Sequence, residues 1–226
     1  DYNAYLEDLA RRLAHELRTP IAVVRSSLDN LRMKKLPEDA TVYVDRAEGG
    51  LQRLDTVLTR MSEASRLEQV VRSGERERYD ATAVVTGCVA GYVATYLGSR
   101  FELRAPHQPL MLNGAPDLYA QMLDKLVANA MDFAVTGSVI HIALELRGTT
   151  ARLLVSNRGA LLPENLRLFE SMQSARSVQA QDIHLGLGLY MVRLIAEFHR
   201  GHASAENLAD GSGVLFSVEI PTLIVD

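Results

Sequence analysis

The sequence predicts an α+β chain of two domains: an antiparallel helical hairpin, then an α/β sandwich in which helices cover one face of a mixed sheet. Three observations carry this prediction. Apolar residues recur every three or four positions over residues 4–33 and again over 38–70, as expected of helices that bury one stripe. Only the stretch MKKLPED separates the two runs, so the helices must turn back on each other. Past the polar stretch VRSGERERYD, short alternating runs interleave with helical ones, the pattern of a sheet covered by helices.

The first helix carries Leu6, Ala10, Leu13, Leu17, Val24, Leu28 and Leu31 on its seam. The second carries Val44, Ala47, Leu51, Leu54, Leu58, Met61 and Leu67, and Pro37 with Glu38 reads as a turn followed by a helix start. A lone hairpin leaves much of each stripe wet, so two copies are expected to pair into a four-helix bundle. On this register His15 faces away from the seam, toward water. Pro20 removes the hydrogen bond that the Glu16 carbonyl would accept, at a typical cost of about 3 kcal/mol in a helix interior, and predicts a bend. A bend, an exposed imidazole, a neighbouring carboxylate (Glu16) and a hydroxyl one turn on (Thr19) together read as a reactive site.

Residues 1–70 are expected to form the first domain, 71–79 a linker and 80–226 the second domain. Within the last, a helix is expected at about 80–97, strands at 101–105 and 109–113, and a strong helix at 116–134 with Leu118, Met122, Leu126, Met131 and Phe133 among its apolar residues. Alternating strands follow at 139–146 and 151–157, then an irregular polar segment over 158–184. A helix at about 187–199 and two strands around the turn ADGSG at 209–213 complete the chain.

Composition bounds the function. With 47 % apolar and 23 % charged residues the chain is of ordinary globular type. Its net charge of -4 and scattered cations exclude an electrostatic footprint for nucleic acid. The single cysteine, Cys88, excludes an intramolecular disulfide; set among Val84, Val85, Val89, Tyr92 and Val93, it reads as a buried, inert thiol. No apolar run approaches the roughly 20 residues that cross a bilayer, and no signal peptide opens the chain. Its abrupt start in helix-like sequence fits the cytoplasmic piece of something longer.

Four further segments carry chemistry. In LDKLVANAMDFA, Asn129 sits mid-helix, where asparagine is a poor helix former; it is either a surface or capping residue or an oxygen ligand for Mg²⁺. In VSNRGALLPE a strand closes at Asn157 and turns at Gly159. A carboxamide presents an acceptor beside a donor, matching the amino group and ring nitrogen of adenine, although Asn-x-Gly also makes an ordinary turn. In HLGLGLYMVRLIAEF, Gly186 and Gly188 let backbone approach a ligand while the following helix start offers free N–H groups, a combination that suits phosphate. Alone, the same residues make a flexible helix start. No GxxxxGK[ST] loop is present, and Met191 stands where a dinucleotide fingerprint needs its third glycine. Gly211 and Gly213, flanking the last hairpin, read as turn glycines.

Taken in order, the His-Glu pair on a hairpin, the asparagine helix, the Asn-x-Gly strand end, Phe169, the Gly-x-Gly-Leu helix start and the Gly-x-Gly hairpin closely resemble the sensor histidine kinases of two-component systems. The resemblance covers nearly the whole chain. HELRTP resembles that family's phosphoacceptor box. The later elements resemble the asparagine, glycine and phenylalanine boxes of the Bergerat ATP fold shared with gyrase-type ATPases.

The resemblance implies a protein-histidine kinase that uses ATP and Mg²⁺. His15 would take the γ-phosphoryl group on a ring nitrogen, whose lone pair is available near neutrality because an imidazole ordinarily titrates at about 6.5. Glu16 would act as general base or orienting partner, and Thr19 would help orient water for dephosphorylating the partner. Asn129 would ligate the metal, and Asn157 and Gly159 would hold adenine. Gly186 and Gly188 would line the phosphates, with Leu187, Leu189 and Phe133 beside the nucleotide. Segment 158–184 would form a lid from which Arg176 reaches the γ-phosphate. The implied partners are a second copy of the chain and a response regulator receiver domain, with no nucleic acid. The implied location is cytoplasmic, with any membrane anchor outside this chain.

Three departures from the family pattern matter. The family usually has Asp where this chain has Asn157, exchanging a charge-assisted bond worth ~1.5–3 kcal/mol for a neutral one worth about 1, and predicting weaker ATP binding. Lys125 and Asp132 stand where the family often has Asn and a cation. They are seven residues apart and share a helix face, so Lys125 is expected to face the phosphates and Asp132 the solvent or the metal's water shell. His184 stands where the family often has glycine, implying a stiffer lid hinge. Three functions are thus in view: a kinase with phosphatase activity, a phosphatase-dominant protein, and a non-enzymatic nucleotide-binding dimer.

Overall fold

A computed structural model describes residues 2–34, 36–163, 169 and 187–223, with the backbone alone at 2–15, 38, 39, 60, 61, 64–66, 68, 69, 72 and 73. Two compact units part between Gln69 and Val70. No described helix is long and apolar enough to cross a membrane.

The first unit is the hairpin of α1 (Tyr2–Arg32) and α2 (Glu38–Ser73). Helix α1 runs on through Pro20. The Pro37 carbonyl accepts from the N–H groups of Ala40 (3.0 Å) and Thr41 (3.2 Å), starting α2 where the sequence predicts. Three ion pairs record an antiparallel register: Arg25 with Asp55 at 3.1 Å, and Arg32 with Asp45 at 2.5 Å and Glu48 at 2.7 Å. Solvent-facing pairs such as Arg25–Asp55 mark register more than they stabilise. The seam holds Ile21, Leu28, Val44, Leu51 and Leu58, with Leu36 packed against them. Leu17, Val24 and Leu31, spaced by seven, remain 45 %, 47 % and 44 % exposed.

In the second unit β1 (Glu77–Asp80) precedes α3 (Ala81–Thr95), so the stretch expected as a linker carries the end of α2 and most of a strand. Asp80 caps α3: its Oδ1 accepts from the N–H groups of Thr82 (2.9 Å) and Leu110 (3.1 Å). Then follow β2 (Arg100–Arg104), β3 (Met111–Gly114) and α4 (Pro116–Phe133), the last with proline in its first turn. Strands β4 (Val139–Arg147) and β5 (Thr150–Arg158), helix α5 (Leu187–Phe198), and strands β6 (His202–Asn207) and β7 (Gly213–Pro221) complete the described residues.

Strands β1 and β3 pair as a separate antiparallel ribbon. The main sheet runs β2-β4-β5-β7-β6; β2 is parallel to β4 and the other pairs are antiparallel. The mixed sheet matches the expectation. One face of its centre is buried, with Ile140, Ile142 and Leu144 of β4, Leu153 and Val155 of β5, and Phe216, Val218 and Ile220 of β7. Helices α4 and α5 pack on the sheet and on each other, through Met122, Leu123, Leu126, Met191 and Ile195, each nearly solvent-free. Each such side chain contributes about 1.5–3 kcal/mol of transfer free energy. That rigid layer fixes the ends of α4, β5 and α5. Strand β2 forms an outer edge, with Arg100, Glu102 and Arg104 exposed.

Candidate functional site

Two groups of candidate residues stand in different units. On α1, Glu16 and Thr19 are exposed, and Pro20 follows them in an exposed turn. His15 belongs to the same helix; its side chain lies outside the described residues, as do Arg176 and Gly186.

In the second unit the C-terminal turn of α4 meets the end of β5. Asn157 is 2 % exposed, one of the few buried polar residues among those described, and its Nδ2 makes a long bond (3.4 Å) to the Arg158 carbonyl. Gly159 bridges to Ala134 just past α4, and the Val135 N–H donates to the Arg158 carbonyl at 2.8 Å. A β-carbon on Gly159 would lie 2.0 Å from the Phe133 carbonyl oxygen, so only glycine lets the strand end come this near the helix. Asn129 is half-buried one turn before Phe133, Lys125 is half-buried one turn before Asn129, and Asp132 is exposed. Asn129, Phe133, Asn157 and Gly159 are therefore held on neighbouring ends of α4 and β5.

The last hairpin belongs to this assembly. The Ser212 carbonyl accepts from the Gly159 N–H at 3.1 Å. Asp210 holds the turn by accepting from the Ser212 N–H (3.0 Å) and hydroxyl (2.7 Å), bonds that lower its carboxyl below the ordinary range. A β-carbon on Gly213 would strike the Asn157 carbonyl oxygen at 2.0 Å. Gly213 is thus more than the turn residue the sequence suggests: it admits the backbone of Asn157.

Leu187 is buried at the start of α5, and Gly188 and Leu189 beside it are half-buried. Among the described residues nothing lies within 4 Å of where a Gly188 β-carbon would be, so on that side the backbone is approachable. A helix start with open backbone favours anions. Among the described residues no group of three His, Cys, Asp or Glu side chains could hold a metal ion. Asn129 offers a hard oxygen of the kind Mg²⁺ takes, alongside water and phosphate oxygens.

Two positioning contacts escape sequence reasoning because their partners are remote. Asn207, at the end of β6, clasps the loop after Gly159: Oδ1 accepts from the Leu162 N–H (2.8 Å) and Nδ2 donates to its carbonyl (3.2 Å). His199, 2 % exposed, accepts at Nε2 from the Ala115 N–H at 3.2 Å. Cys88 is half-buried, not buried as the sequence suggests, because its helix leaves that side partly open; its thiol is pushed up by burial and by Asp124.

Residues 5–70 match the family model of the His Kinase A (phospho-acceptor) domain. Residues 114–224 match that of the histidine kinase-, DNA gyrase B-, and HSP90-like ATPase. The sensor histidine kinase RcsC of Escherichia coli (strain K12) is 27 % identical over 216 residues, covering 92 % of this chain and 22 % of RcsC. The sensor protein ChvG of Rhizobium meliloti is 27 % identical over 240 residues, covering 98 % of this chain and 41 % of ChvG. The chain thus spans under half the length of these relatives. The solved structure of the Acinetobacter baumannii histidine kinase AdeS superposes with a TM-score of 0.61 at 23 % identity, over 92 % of this chain and 97 % of that one, a likeness of fold.

Proposed function

The chain belongs to the sensor histidine kinases of two-component systems, and on that premise we propose that it phosphorylates His15 from ATP and passes the group to an aspartate of a response regulator receiver domain. The observation that carries the reading is the pairing of a HELRTP helix with a second unit in which Asn129, Asn157, Gly159 and Gly188 stand at the ends of α4, β5 and α5.

In this reading a ring nitrogen of His15 donates its lone pair to the γ-phosphorus. The bond from that phosphorus to the β,γ-bridging oxygen breaks, and ADP leaves with the electron pair. Glu16 takes up the proton from the other ring nitrogen. Asn157 receives the adenine amino group and Gly188 gives the phosphates access to the α5 N-terminus. Lys125 would add a cation near the phosphates, Asp132 would face solvent or the water shell of a bound metal, and Arg176, outside the described residues, is assigned to the γ-phosphate by the family resemblance alone. Mg²⁺, when bound, would supply charge neutralisation for the phosphates, and Asn129 would be the residue to hold it. Thr19 serves the reverse task, orienting water for removal of phosphate from the regulator.

A dimer is part of this proposal. Leu17, Val24 and Leu31 repeat at seven-residue spacing and stay half-exposed beside the filled seam of Ile21 and Leu28, the arrangement of a helix with a second apolar stripe to cover. The whole protein's location, with this chain as its cytoplasmic portion, follows the family premise alone.

Asn157 favours one second reading. A neutral amide binds adenine less well than a carboxylate, which tilts the balance toward a phosphatase-dominant protein. Incubating the chain with Mg²⁺ and γ-labelled ATP separates the two. Acid-labile, alkali-stable label that His15→Ala abolishes supports the kinase. No label, together with faster dephosphorylation of a phospho-regulator, supports the second. Neither signal overturns both.

A further inference from the structure

His199 closes α5 at the end opposite Gly188, and its ring is held on every side. The Ile195 carbonyl, which only accepts, lies 2.8 Å from Nδ1, so Nδ1 carries the proton. Nε2 is left as an acceptor and takes the N–H of Ala115, the residue that starts α4 and has no side-chain cap of its own. Gly114 makes room: a β-carbon there would lie 2.1 Å from the imidazole. The rings of Tyr79, Tyr119 and Phe198 meet the imidazole at centroid distances of 6.0, 5.9 and 5.1 Å, largely edge to face.

The backbone beneath this ring is specialised. Gly201 N–H donates to the Ala196 carbonyl (2.8 Å) and Arg200 N–H to that of Glu197 (2.9 Å), the two bonds of a Schellman cap. Arg200 adopts φ 62°, the sole non-glycine with positive φ among the described residues. Arg76 grips the same helix end, donating to the Phe198 carbonyl at 2.5 Å and stacking 4.8 Å over its ring.

We propose that His199 is a positioning residue for the nucleotide site: with Nε2 unprotonated it ties the end of α5 to the start of α4, and a proton there unties them. This rests on the kinase reading for what the two helices carry, Asn129 on α4 and Gly188 on α5. Protonated Nε2 would turn its N–H against the Ala115 N–H, two donors face to face. Among the described residues the titratable or charged groups facing the ring are Arg76, ahead of β1, Tyr79 of β1 and Tyr119 of α4. None is a carboxylate, so no neighbour welcomes an imidazolium. Burial first, and the Arg76 charge with it, hold the imidazole below its ordinary range, against the hydrogen bond to the Ile195 carbonyl, which raises it. The tie is therefore intact above about pH 6.5 and lost as pH falls through the lowered value.

Two measurements on the full chain test this. The first is amide exchange in the unsubstituted chain, with Ala115 compared against Val155 in the sheet after correction for intrinsic rates. Protection at Ala115 is expected to hold from pH 7.5 to about 6.5 and to fall as pH is taken lower, through the lowered value, while Val155 holds. The second is Mg²⁺-ADP affinity across the same range for the wild type and His199→Gln, whose amide oxygen accepts without titrating. The wild type should lose about five- to tenfold more affinity than the variant on acidification. Protection at Ala115 that ignores pH overturns the tie. A variant that tracks the wild type overturns its link to the nucleotide. Absence of any ADP binding at pH 7.5 overturns the kinase reading and that link, while exchange at Ala115 still decides the tie.

Discussion

Gly159 and Phe133 approach so closely that a β-carbon on the glycine would fall 2.0 Å from the phenylalanine's carbonyl oxygen. The obstacle is backbone at the end of α4, which cannot swing aside as a side-chain tip can. Gly159→Ala should therefore part β5 from α4, costing about 1–3 kcal/mol in urea unfolding. Nucleotide affinity should fall with it, because Asn157 and Asn129 lose their common frame. A variant with unchanged midpoint and affinity would show that this contact is dispensable.

Gly188→Ala should behave in the opposite way. With no described residue within 4 Å of the added carbon, the fold accepts it, and the second unit's melting temperature stays level or rises, by up to about 1 kcal/mol of helix propensity. ADP affinity, read by calorimetry, should drop about tenfold or more as the methyl group occupies the space a phosphate would use. Equal affinity in variant and wild type would remove Gly188 from the phosphate site.

Asn157→Asp separates folding from binding at a single atom. A carboxylate at a 2 % exposed position is poorly solvated, so the nucleotide-free protein should unfold at lower denaturant. The charge-assisted bond to an adenine amino group should tighten ATP by about 1 kcal/mol, or roughly fivefold. Weaker ATP binding by the variant would mean that this side chain does not meet the base as an acceptor.

Val24→Glu addresses assembly. Val24 is 47 % exposed between Leu17 and Leu31, so the substitution leaves the hairpin's own seam of Ile21 and Leu28 untouched. Light scattering should report twice the chain mass for the wild type and a monomer for the variant at micromolar concentration, while helicity persists. A variant that stays dimeric moves the interface elsewhere.

Arg200→Gly should stabilise the second unit by about 1 kcal/mol, since glycine takes φ 62° without the β-carbon strain that arginine bears. Because His199 sits one residue earlier in the same cap, its bond to Ala115 should persist. A lower melting temperature for the variant would show that the Arg200 side chain contributes more than its backbone costs.

Much of this architecture is legible in the sequence because its signals are local. The 116–134 pattern predicts α4 through apolar spacing, and period-two alternation predicts β4 and β5, whose buried residues are every second one. Asn157, Gly159 and Gly188 were visible as residue types that backbone geometry or hydrogen bonding makes unusual. What stayed hidden depends on distant partners. Strand β1 reads as charged linker because three of its four residues are polar and its pairing is confined to a two-stranded ribbon. Ile21 is missing from the predicted seam although it is buried, whereas Leu17, Val24 and Leu31 are on it and stay half-exposed; one chain fills only part of a two-sided stripe. His199 and Asn207 reach Ala115 and Leu162 across 84 and 45 residues, separations at which no periodicity speaks.

The outer strand β2 has a consequence for behaviour in crowded solution. Its exposed positions are Arg100, Glu102 and Arg104, so another chain's strand laid along that border would have to desolvate two guanidinium groups and a carboxylate to complete the ladder. Such a margin discourages fibril growth by strand addition. Concentrated stocks should accordingly stay clear of amyloid-dye-positive precipitate, and replacing Arg100 and Arg104 by valine is the change that would invite it.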